Sequence, residues 1–403
     1  MKLAIVTTSY PAYLKDFYNK NSGLAQRSFA DQKAALDYDG FGWADFWSRA
    51  LRPYGYEAKE FPINNEPLQR AWALENGLAN PASIDLHEIA LRQIETFKPE
   101  ILWYDHHDDM LLEKIRFHAP SNRLVLGWVG SAIPGNNAFQ FIDLILSCAP
   151  ESVRRLQAAG FRSLHLNHAF ESKILDRLKR REKEIDCSFI GQIVPYQEFH
   201  SQREQILQEL SAKIKVEIFS PSGNLGWKEE AKATGRLFLH DLVKLARNIG
   251  VPESVLGGLP VISRAAKWPS RPVKPVTSKL KHILKPAVFG LEMYETLQAS
   301  RVSLNIHADS SPTHASNMRL FETTGVGTCL VTDWKDNLPE LFEPDREVVT
   351  YRSAAECAEK IKWLLDHPTE REAIAKAGKD RTMIDHSFLK RAKQLDEIIK
   401  QSL

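Results

Sequence analysis

The sequence predicts an α/β protein with two domains, each built on a parallel sheet that helices cover on both faces. Strand and helix signals alternate through both halves of the chain, which is the pattern of βαβ units. With 403 residues the chain is too long for one typical core and suits two domains of about 200 residues each. A highly charged stretch at residues 173–186 separates the halves. We therefore predict an N-terminal domain (1–172), a linker (173–186), a second domain (187–385) and a C-terminal helix (386–403).

Short apolar runs predict the strands of the first domain, and helix signals fall between them. The runs lie at residues 3–6, 56–61, 101–104, 124–129 and 141–147. A helix is predicted at 44–51. Another begins at Asp85, where Glu88 completes a capping box. A third runs over 152–160, where Gly160 ends it.

The second domain repeats this alternation. Its strands are predicted at residues 187–190, 216–220, 302–306 and 328–331, and its helices include 201–212 and 387–403. Capping boxes predict two further helix starts, at Ser353 with Glu356 and at Thr369 with Glu372. Ser316 is predicted to open the helix that connects the last two strands.

The composition is that of a soluble globular protein, and the cysteine pattern predicts a cytoplasmic location. Hydrophobic residues make up 43% and charged residues 26% of the chain, so a packed core and a solvated surface are expected. No run approaches the roughly 18 apolar residues of a membrane-spanning helix, and we expect no membrane span. The N-terminus enters a strand at once, so we expect no signal peptide. The four cysteines form no CxxC pair and are predicted to be buried free thiols.

The polar loop between the strand at 302–306 and the helix opened by Ser316 is a candidate phosphate site. In α/β proteins, phosphates bind where such a loop meets a helix N-terminus between parallel strands. Arg319 lies near the start of this helix, and Glu322 follows three residues later. Ordinary packing of an α/β unit produces the same pattern, so these residues alone leave both interpretations open.

A series of short segments resembles a known family, and this resemblance favours the phosphate-site interpretation. They lie at residues 9–14 (SYPAYL), 41–47 (FGWADFW), 66–72 (EPLQRAW), 148–152 (CAPES), 168–170 (HAF), 189–191 (FIG), 317–322 (NMRLFE), the glycines 325 and 327, and 338–342 (LPELF). Together they resemble CgeB-like (spore-maturation-type) glycosyltransferases, which belong to the GT-B group of nucleotide-sugar enzymes. The resemblance covers most of the chain. It implies two Rossmann-like domains facing each other across a cleft, with the C-terminal helix packed back on the first domain.

The resemblance places the nucleotide-sugar donor, for which we favour a UDP sugar, mainly on the second domain. Its diphosphate must be neutralised by backbone amides, a helix dipole or basic side chains. The donor-binding candidates are Gly191, Gln192, Ser316, Asn317, Met318 and Arg319. Arg203 is a weaker candidate, because it could be a solvated residue of its helix. We expect no metal or other cofactor, since GT-B enzymes usually need none.

Glu322 is given a different role, because a carboxylate repels phosphate. In GT-B enzymes the matching glutamate commonly holds the ribose of the nucleotide; alternatively, Glu322 pairs with a surface lysine. Many retaining GT-B enzymes carry a second glutamate eight residues earlier, where this chain has His314. The stereochemistry therefore stays open, and His314 is a catalytic candidate that could change its charge near neutral pH.

The first domain is expected to supply the catalytic base, which must reach the proton of the acceptor hydroxyl. Three places offer one: residues 105–108 (DHHD) at a strand end, Asp45 at a helix start and His168 before the linker. Our first candidates are His107 and Asp45. Residues 105–108 could also be interpreted as a metal cluster, but adjacent side chains rarely converge on one ion.

The acceptor side of the cleft is expected to include the loop after the first strand. Ser9 and Tyr10 lie in this loop, and His168 is a third acceptor-side candidate. The acceptor is predicted to be a glycan or a lipid-linked precursor. Only the resemblance supports this placement of the loop.

A basic segment at residues 254–291 falls outside the resembling segments, and residues 224–290 are predicted to be an insertion. The segment contains seven lysines and arginines and no acidic residue. It could be a solvated loop, or a surface for an anionic acceptor or anionic lipid headgroups. The second interpretation would place the protein at the inner membrane face. Nucleic acid is not expected as a partner, because no recognition module surrounds the segment.

The sequence as a whole predicts a metal-independent glycosyltransferase of the hexosyltransferase type. It would move a sugar from a nucleotide-diphosphate donor to a hydroxyl, with a surface polysaccharide precursor as the expected acceptor. Two other functions stay open. One is a nucleotide-sugar epimerase or hydrolase on the same fold. The other is a non-catalytic nucleotide-sugar-binding assembly protein.

Overall fold

A computed structural model describes residues 1–106, 108–119, 121–130, 133–135, 138–179, 181–193, 201–221, 227–249, 251–252, 262, 265 and 280–403. The predicted catalytic residue His107 lies outside these residues. Most of the predicted basic segment also lies outside them. Among the described residues, the chain forms two six-stranded sheets.

The first sheet has the strand order β2-β1-β3-β4-β5-β6, and all its neighbouring strands are parallel. Its strands are β1 (Lys2–Thr7), β2 (Glu57–Pro62), β3 (Ile101–Tyr104), β4 (Leu124–Val129), β5 (Leu144–Ser147) and β6 (Ser163–His165). Its helices are α1 (Pro11–Lys20), α2 (Phe29–Asp39), α3 (Phe46–Leu51), α4 (Glu66–Glu75), α5 (Leu86–Phe97), α6 (Asp109–His118) and α7 (Pro150–Ala158). Every residue of β3, β4 and β5 is buried, as expected for central strands between two helical layers.

The second sheet is also parallel and has the strand order β12-β11-β10-β7-β8-β9. Its strands are β7 (Ile185–Ile190), β8 (Glu217–Phe219), β9 (Leu284–Lys285), β10 (Ser300–Asn305), β11 (Cys329–Asp333) and β12 (Val349–Tyr351). The helices of this half are α8 (Ser201–Ser211), α9 (Trp227–Asn248), α10 (Gly290–Gln298), α11 (Met318–Gly325), α12 (Leu338–Leu341), α13 (Ala354–Asp366), α14 (Pro368–Asp385) and α15 (Phe388–Ser402). The predicted domain bounds stay a prediction, although the chain passes from one sheet to the other between β6 and β7.

The strand order shows where each sheet is expected to bind a ligand. In open parallel sheets, ligands bind outside the carboxyl ends of the strands where the strand order reverses. In the first sheet this reversal lies between β1 and β3, and in the second it lies between β7 and β10. The loops that follow these four strands are therefore the first places to look for a site.

The C-terminal helix α15 packs back on the first domain, as predicted. The Phe388 ring lies 5.1 Å from the Phe46 ring and 5.0 Å from the Trp47 ring, measured between centroids. The Tyr56 hydroxyl donates to the Asp396 carboxylate over 3.0 Å. The end of the chain therefore ties the second domain to the core of the first.

Replacing Phe388 by alanine is expected to lower the free energy of unfolding by about 3–5 kcal/mol, because it empties a buried aromatic site between the domains. Phe388 is 3% exposed, whereas its neighbour Leu389 is 61% exposed. Leu389→Ala is the matched control, and its effect should stay within about 0.5 kcal/mol. Urea denaturation followed by circular dichroism measures both values. Equal stability of the two variants would contradict this role of Phe388.

Three helix starts differ from the sequence prediction for local reasons. The helix predicted over 44–51 begins at Phe46, because Ala44 takes a left-handed conformation with φ of 42°. The helix predicted to open at Ser316 begins at Met318. The capping box predicted at Thr369 is absent, since Pro368 already occupies the first helical position. The Ser353 cap is confirmed, because its hydroxyl accepts from the amide of Glu356, but the Glu356 carboxylate accepts from the Arg352 amide and not from that of Ser353.

All four cysteines are buried free thiols. Within the described part of the chain, no helix combines the length and the apolar character needed to cross a bilayer.

Candidate functional site

A cleft of about 580 Å³ lies between the two sheets, at the strand ends where both strand orders reverse. Its size falls within the roughly 300–1,000 Å³ of small-molecule sites. From the first domain it is lined by residues after β1 and β3, including Ser9, Tyr10, Asp105 and His106. From the second domain it is lined by Gly191, Gln192, Arg203, Asn305, Ser316, Asn317, Met318, Arg319 and Glu322, among others. All the predicted donor-binding residues therefore meet in one cavity.

The N-terminus of α11 opens into this cleft without a side-chain cap. Asn317 occupies the capping position, but its side chain makes no capping hydrogen bond. The side-chain amide of Asn317 instead donates to the side-chain oxygen of Asn305 over 3.0 Å, at the end of β10. The first amides of a helix have no partner within the helix. Those of α11 are therefore placed to bind an anion in the cleft.

Arg319 and Glu322 form an ion pair inside the cleft. Their side chains are 2.8 Å apart, and Glu322 is only 5% exposed. Burial raises the pKa of the neighbouring Tyr294 hydroxyl, and the negative charge of Glu322 raises it further. The alternative prediction, a pair between Glu322 and a surface lysine, is wrong, because the partner is the arginine one turn earlier in the same helix.

Arg203 is a buried cation of the cleft and not a solvated helix residue. It is 7% exposed, and it donates to the carbonyls of Gln192 over 2.8 Å and of Ile306 over 2.6 Å. These carbonyls follow β7 and β10, so Arg203 joins the two loops at the strand-order reversal. Burial lowers the pKa of Arg203 to about 10, which leaves the side chain charged at neutral pH. Its position on α8 carried no sequence signal of this burial.

Tyr10 marks the point where the two domains meet. Burial raises the pKa of its hydroxyl, and the negative charges of Asp105 and Glu322 raise it further, while Arg319 lowers it. One hydroxyl is thus within electrostatic reach of a first-domain carboxylate and of the ion pair on α11. The predicted acceptor-side loop therefore faces the predicted donor residues.

Asp105 is the strongest base candidate that the structure offers. It directly follows β3, at the strand-order reversal of the first sheet, and it lines the cleft half-buried. Burial raises the pKa of its carboxyl to about 8. General bases work best with a pKa near the operating pH. The sequence pointed to residues 105–108, but our first candidate there was His107.

The structure does not bring two of the predicted catalytic residues into the cleft. Asp45 is not among the described residues that line it, and its carboxylate pairs with Arg49 over 3.1 Å. His314 is also absent from that lining, and its ring lies 3.0 Å from the Glu151 carboxylate. The Asp45–Arg49 pair has the i,i+4 spacing of neighbours on a helix, whereas the His314–Glu151 pair joins segments 163 residues apart that sequence spacing cannot connect.

The other acceptor-side candidates do line the cleft. Ser9 is fixed there by its amide, which donates to the Asn64 side chain over 2.8 Å. His168 is buried beside Trp128, with 5.3 Å between ring centroids. Burial lowers the pKa of His168 to about 3, so its ring stays neutral at physiological pH. Because its ring binds a proton so weakly, His168 is suited to hydrogen bonding and not to acting as the catalytic base.

One group of described residues has the chemistry of a metal site. Ligand atoms of His87, His106 and Asp108 lie within 4.8 Å of one another. Positions 106 and 108 can share a side because residues two apart in an extended segment point the same way. However, His87 and Asp108 lie at the N-termini of α5 and α6, where the helix dipoles oppose a cation. We assign no metal there, and the absence of a metal stays a prediction.

Comparison with known proteins identifies the fold. The chain is similar to Anabaena HepE in complex with UDP and glucose, with a TM-score of 0.52 and 12% identity over 100% of both chains. A glycosyltransferase from Rickettsia africae gives a TM-score of 0.53 and 9% identity over 100% of this chain and 98% of the other. Sucrose-phosphate synthase from Thermosynechococcus elongatus gives a TM-score of 0.51 and 10% identity over 100% of this chain and 98% of the other. The chain therefore has the predicted fold of two Rossmann-like domains facing across a cleft.

Sequence comparison adds evidence for the second domain. The model of a family described as glycosyl transferase-like matches residues 236–397, which include α11 with Arg319 and Glu322. The match begins inside residues 224–290, which the sequence predicted to be an insertion. No curated protein matches the chain.

Proposed function

We propose that the protein is a CgeB-like glycosyltransferase that moves a hexose from a nucleotide-diphosphate sugar to a hydroxyl acceptor. The observation that carries this proposal is the lining of the cleft, in which Asp105 of the first domain and Arg319 and Glu322 of the second domain meet in one cavity. Donor groups and a base thus converge from opposite sides of a cleft of suitable size. An inverting transferase needs this arrangement, because in a single displacement the acceptor hydroxyl attacks from the side away from the leaving group.

The diphosphate is held by the second domain. The free amides of α11 face the cleft, and Arg203 and Arg319 supply positive charge beside them. Preorganised amides and cations can stabilise a leaving diphosphate without a metal. Glu322 is the residue we assign to the ribose hydroxyls. HepE, which has the same fold, was crystallised with UDP-glucose, which supports testing UDP sugars first.

Asp105 acts as the base in this proposal. It takes the proton of the acceptor hydroxyl while the oxygen attacks the anomeric carbon. The bond between sugar and phosphate breaks, and its electron pair leaves with the diphosphate. This single displacement inverts the anomeric centre. Position 314 supports inversion, because it carries a histidine in place of the second glutamate of many retaining enzymes and is not among the described residues that line the cleft.

Aromatic side chains support a glycan acceptor. The Tyr13 and Phe41 rings stack with 4.0 Å between centroids, and Phe289 of the second domain lies 5.5 Å from Phe41. All three line the cleft. Aromatic side chains commonly line small-molecule sites, and Phe41, the half-buried ring of the three, is the one that we assign to the acceptor sugar. A lipid-linked polysaccharide precursor at the cytoplasmic membrane face is the acceptor that we propose.

Incubation with a panel of UDP, GDP, dTDP and CMP sugars tests the proposal. We expect one donor, a UDP sugar, to raise the melting temperature and to release nucleotide faster when a glycan acceptor is added. Nuclear magnetic resonance of the product should show the inverted anomer. Release without acceptor would instead indicate a hydrolase or epimerase, and binding without turnover would indicate an assembly protein. Failure to bind any donor would contradict the proposal as a whole.

A further inference from the structure

A glutamate of the first domain holds the donor loop of the second. Glu151 is the second residue of α7, and its Oε1 accepts from the Thr313 amide over 3.0 Å and from the Thr313 hydroxyl over 2.7 Å. The same oxygen accepts from the His314 amide over 2.7 Å. The His314 ring lies 3.0 Å from it as well. The other oxygen, Oε2, accepts from the Ser311 hydroxyl over 3.4 Å, so one carboxylate makes five polar contacts across the domain boundary.

The loop that Glu151 holds leads directly into the donor site. It joins β10 to α11, and its residues Ser310, Ser311 and Ser316 line the cleft. Inside its own domain the loop is tied by Asn337, whose side chain accepts from the Ala315 amide over 2.6 Å. The loop is therefore fixed from both sides, once by its own domain and once by Glu151.

The charge of Glu151 is strongly stabilised in this position. Burial alone would raise its pKa, but hydrogen bonds from Thr313, from its own backbone and from His314 outweigh burial and lower the pKa to about 2. The position in the first turn of α7 is also favourable for a carboxylate. Glu151 is thus an anion over the whole physiological range, and its charge strengthens the hydrogen bonds that it accepts from the loop.

We propose that Glu151 is a positioning residue for nucleotide-sugar binding, and this inference depends on the proposed function. By holding Thr313 and His314, it fixes the loop that sets the approach to the α11 N-terminus. The loop is ready for the diphosphate only while the two domains are together. The first domain thereby contributes to donor affinity without touching the donor. Loss of the contact reduces the fraction of protein that is competent to bind.

Glu151→Ala and Glu151→Gln test this role, with Glu88→Ala as the matched control. Glu88 belongs to the same domain, and within the described part of the chain it pairs with Arg92 on the surface, over 3.0 Å. Donor dissociation constants from calorimetry should rise about tenfold in Glu151→Ala, and turnover at saturating donor should change less than about twofold. Glu151→Gln, which keeps an acceptor oxygen without the charge, should lie between wild type and Glu151→Ala.

Hydrogen exchange separates positioning from a general loss of stability. In donor-free protein, amides of residues 307–317 should exchange about tenfold faster in Glu151→Ala than in wild type, while β-strand amides stay unchanged. Unchanged donor affinity, or uniformly faster exchange over the whole chain, would overturn the inference. If wild type binds no nucleotide sugar, the proposed function fails, and the exchange of the loop still reports whether Glu151 holds it.

Discussion

Replacing Asp105 by asparagine is expected to reduce the turnover of sugar transfer by about 10²–10⁴-fold, the usual contribution of a general base. Asparagine has nearly the same shape but cannot take the acceptor proton. The donor binds to the other domain, so its dissociation constant should stay within about twofold of wild type. Steady-state kinetics with acceptor and calorimetry with donor measure the two quantities. Asp45→Asn is the control, since Asp45 is not among the described residues of the cleft.

The pH dependence of transfer gives a second test of Asp105. Burial raises the pKa of its carboxyl to about 8, so the group is protonated and inactive as a base below that pH. The wild-type rate at low donor and acceptor concentrations should therefore rise with pH and level off above about 8. In Asp105→Asn this rise should disappear. Full activity of Asp105→Asn, or an unchanged profile, would show that another group is the base.

The same shift predicts the sign of a stability change. Asp105 has a pKa near 3.9 in an unfolded chain. Because folding raises this pKa to about 8, the folded state loses stability as the pH rises between these two values. Asparagine has no charge to bury. Asp105→Asn should therefore melt at a higher temperature than wild type at pH 9, and the difference should shrink at pH 5.

The sequence was most informative where local pattern determines structure. The run at residues 101–104 predicted β3 to the residue, since four consecutive apolar residues are typical of a central strand in an α/β protein. The placement of Ser316, Asn317 and Arg319 in one cleft also followed from local order, because a helix between parallel strands must begin at the edge where the strands end.

Contacts between distant segments could not be predicted in the same way. Arg203 and Glu151 each belong to a helix whose pattern gives no sign of burial against a loop more than 100 residues away. Asp105 is a similar case. It follows β3 as His107 does, and only the tertiary structure shows that Asp105 lies in the cleft and is desolvated, whereas His107 lies outside the described residues and stays a prediction. Local sequence locates a strand end, whereas the role of each side chain depends on what faces it.

Replacing Glu322 by alanine is expected to weaken donor binding by roughly 10–100-fold, because a hydrogen bond to a charged group contributes about 1.5–3 kcal/mol. Two effects oppose each other. Loss of the carboxylate removes the proposed ribose contact, but it also frees Arg319, which lies 2.8 Å away, to bind the diphosphate. We expect the first effect to exceed the second, since the α11 amides and Arg203 already serve the diphosphate.

A double-mutant cycle distinguishes these two roles of Glu322. If Glu322 only orients Arg319, then Glu322→Ala should have almost no effect on donor affinity in an Arg319→Ala background. If Glu322 binds the ribose, most of its effect should remain in that background. UDP analogues without the ribose hydroxyls provide the matched ligand control, because wild type should bind them about as weakly as Glu322→Ala binds UDP. Equal binding of UDP and these analogues by wild type would show that Glu322 does not hold the ribose, and the pair on α11 would then act only through Arg319.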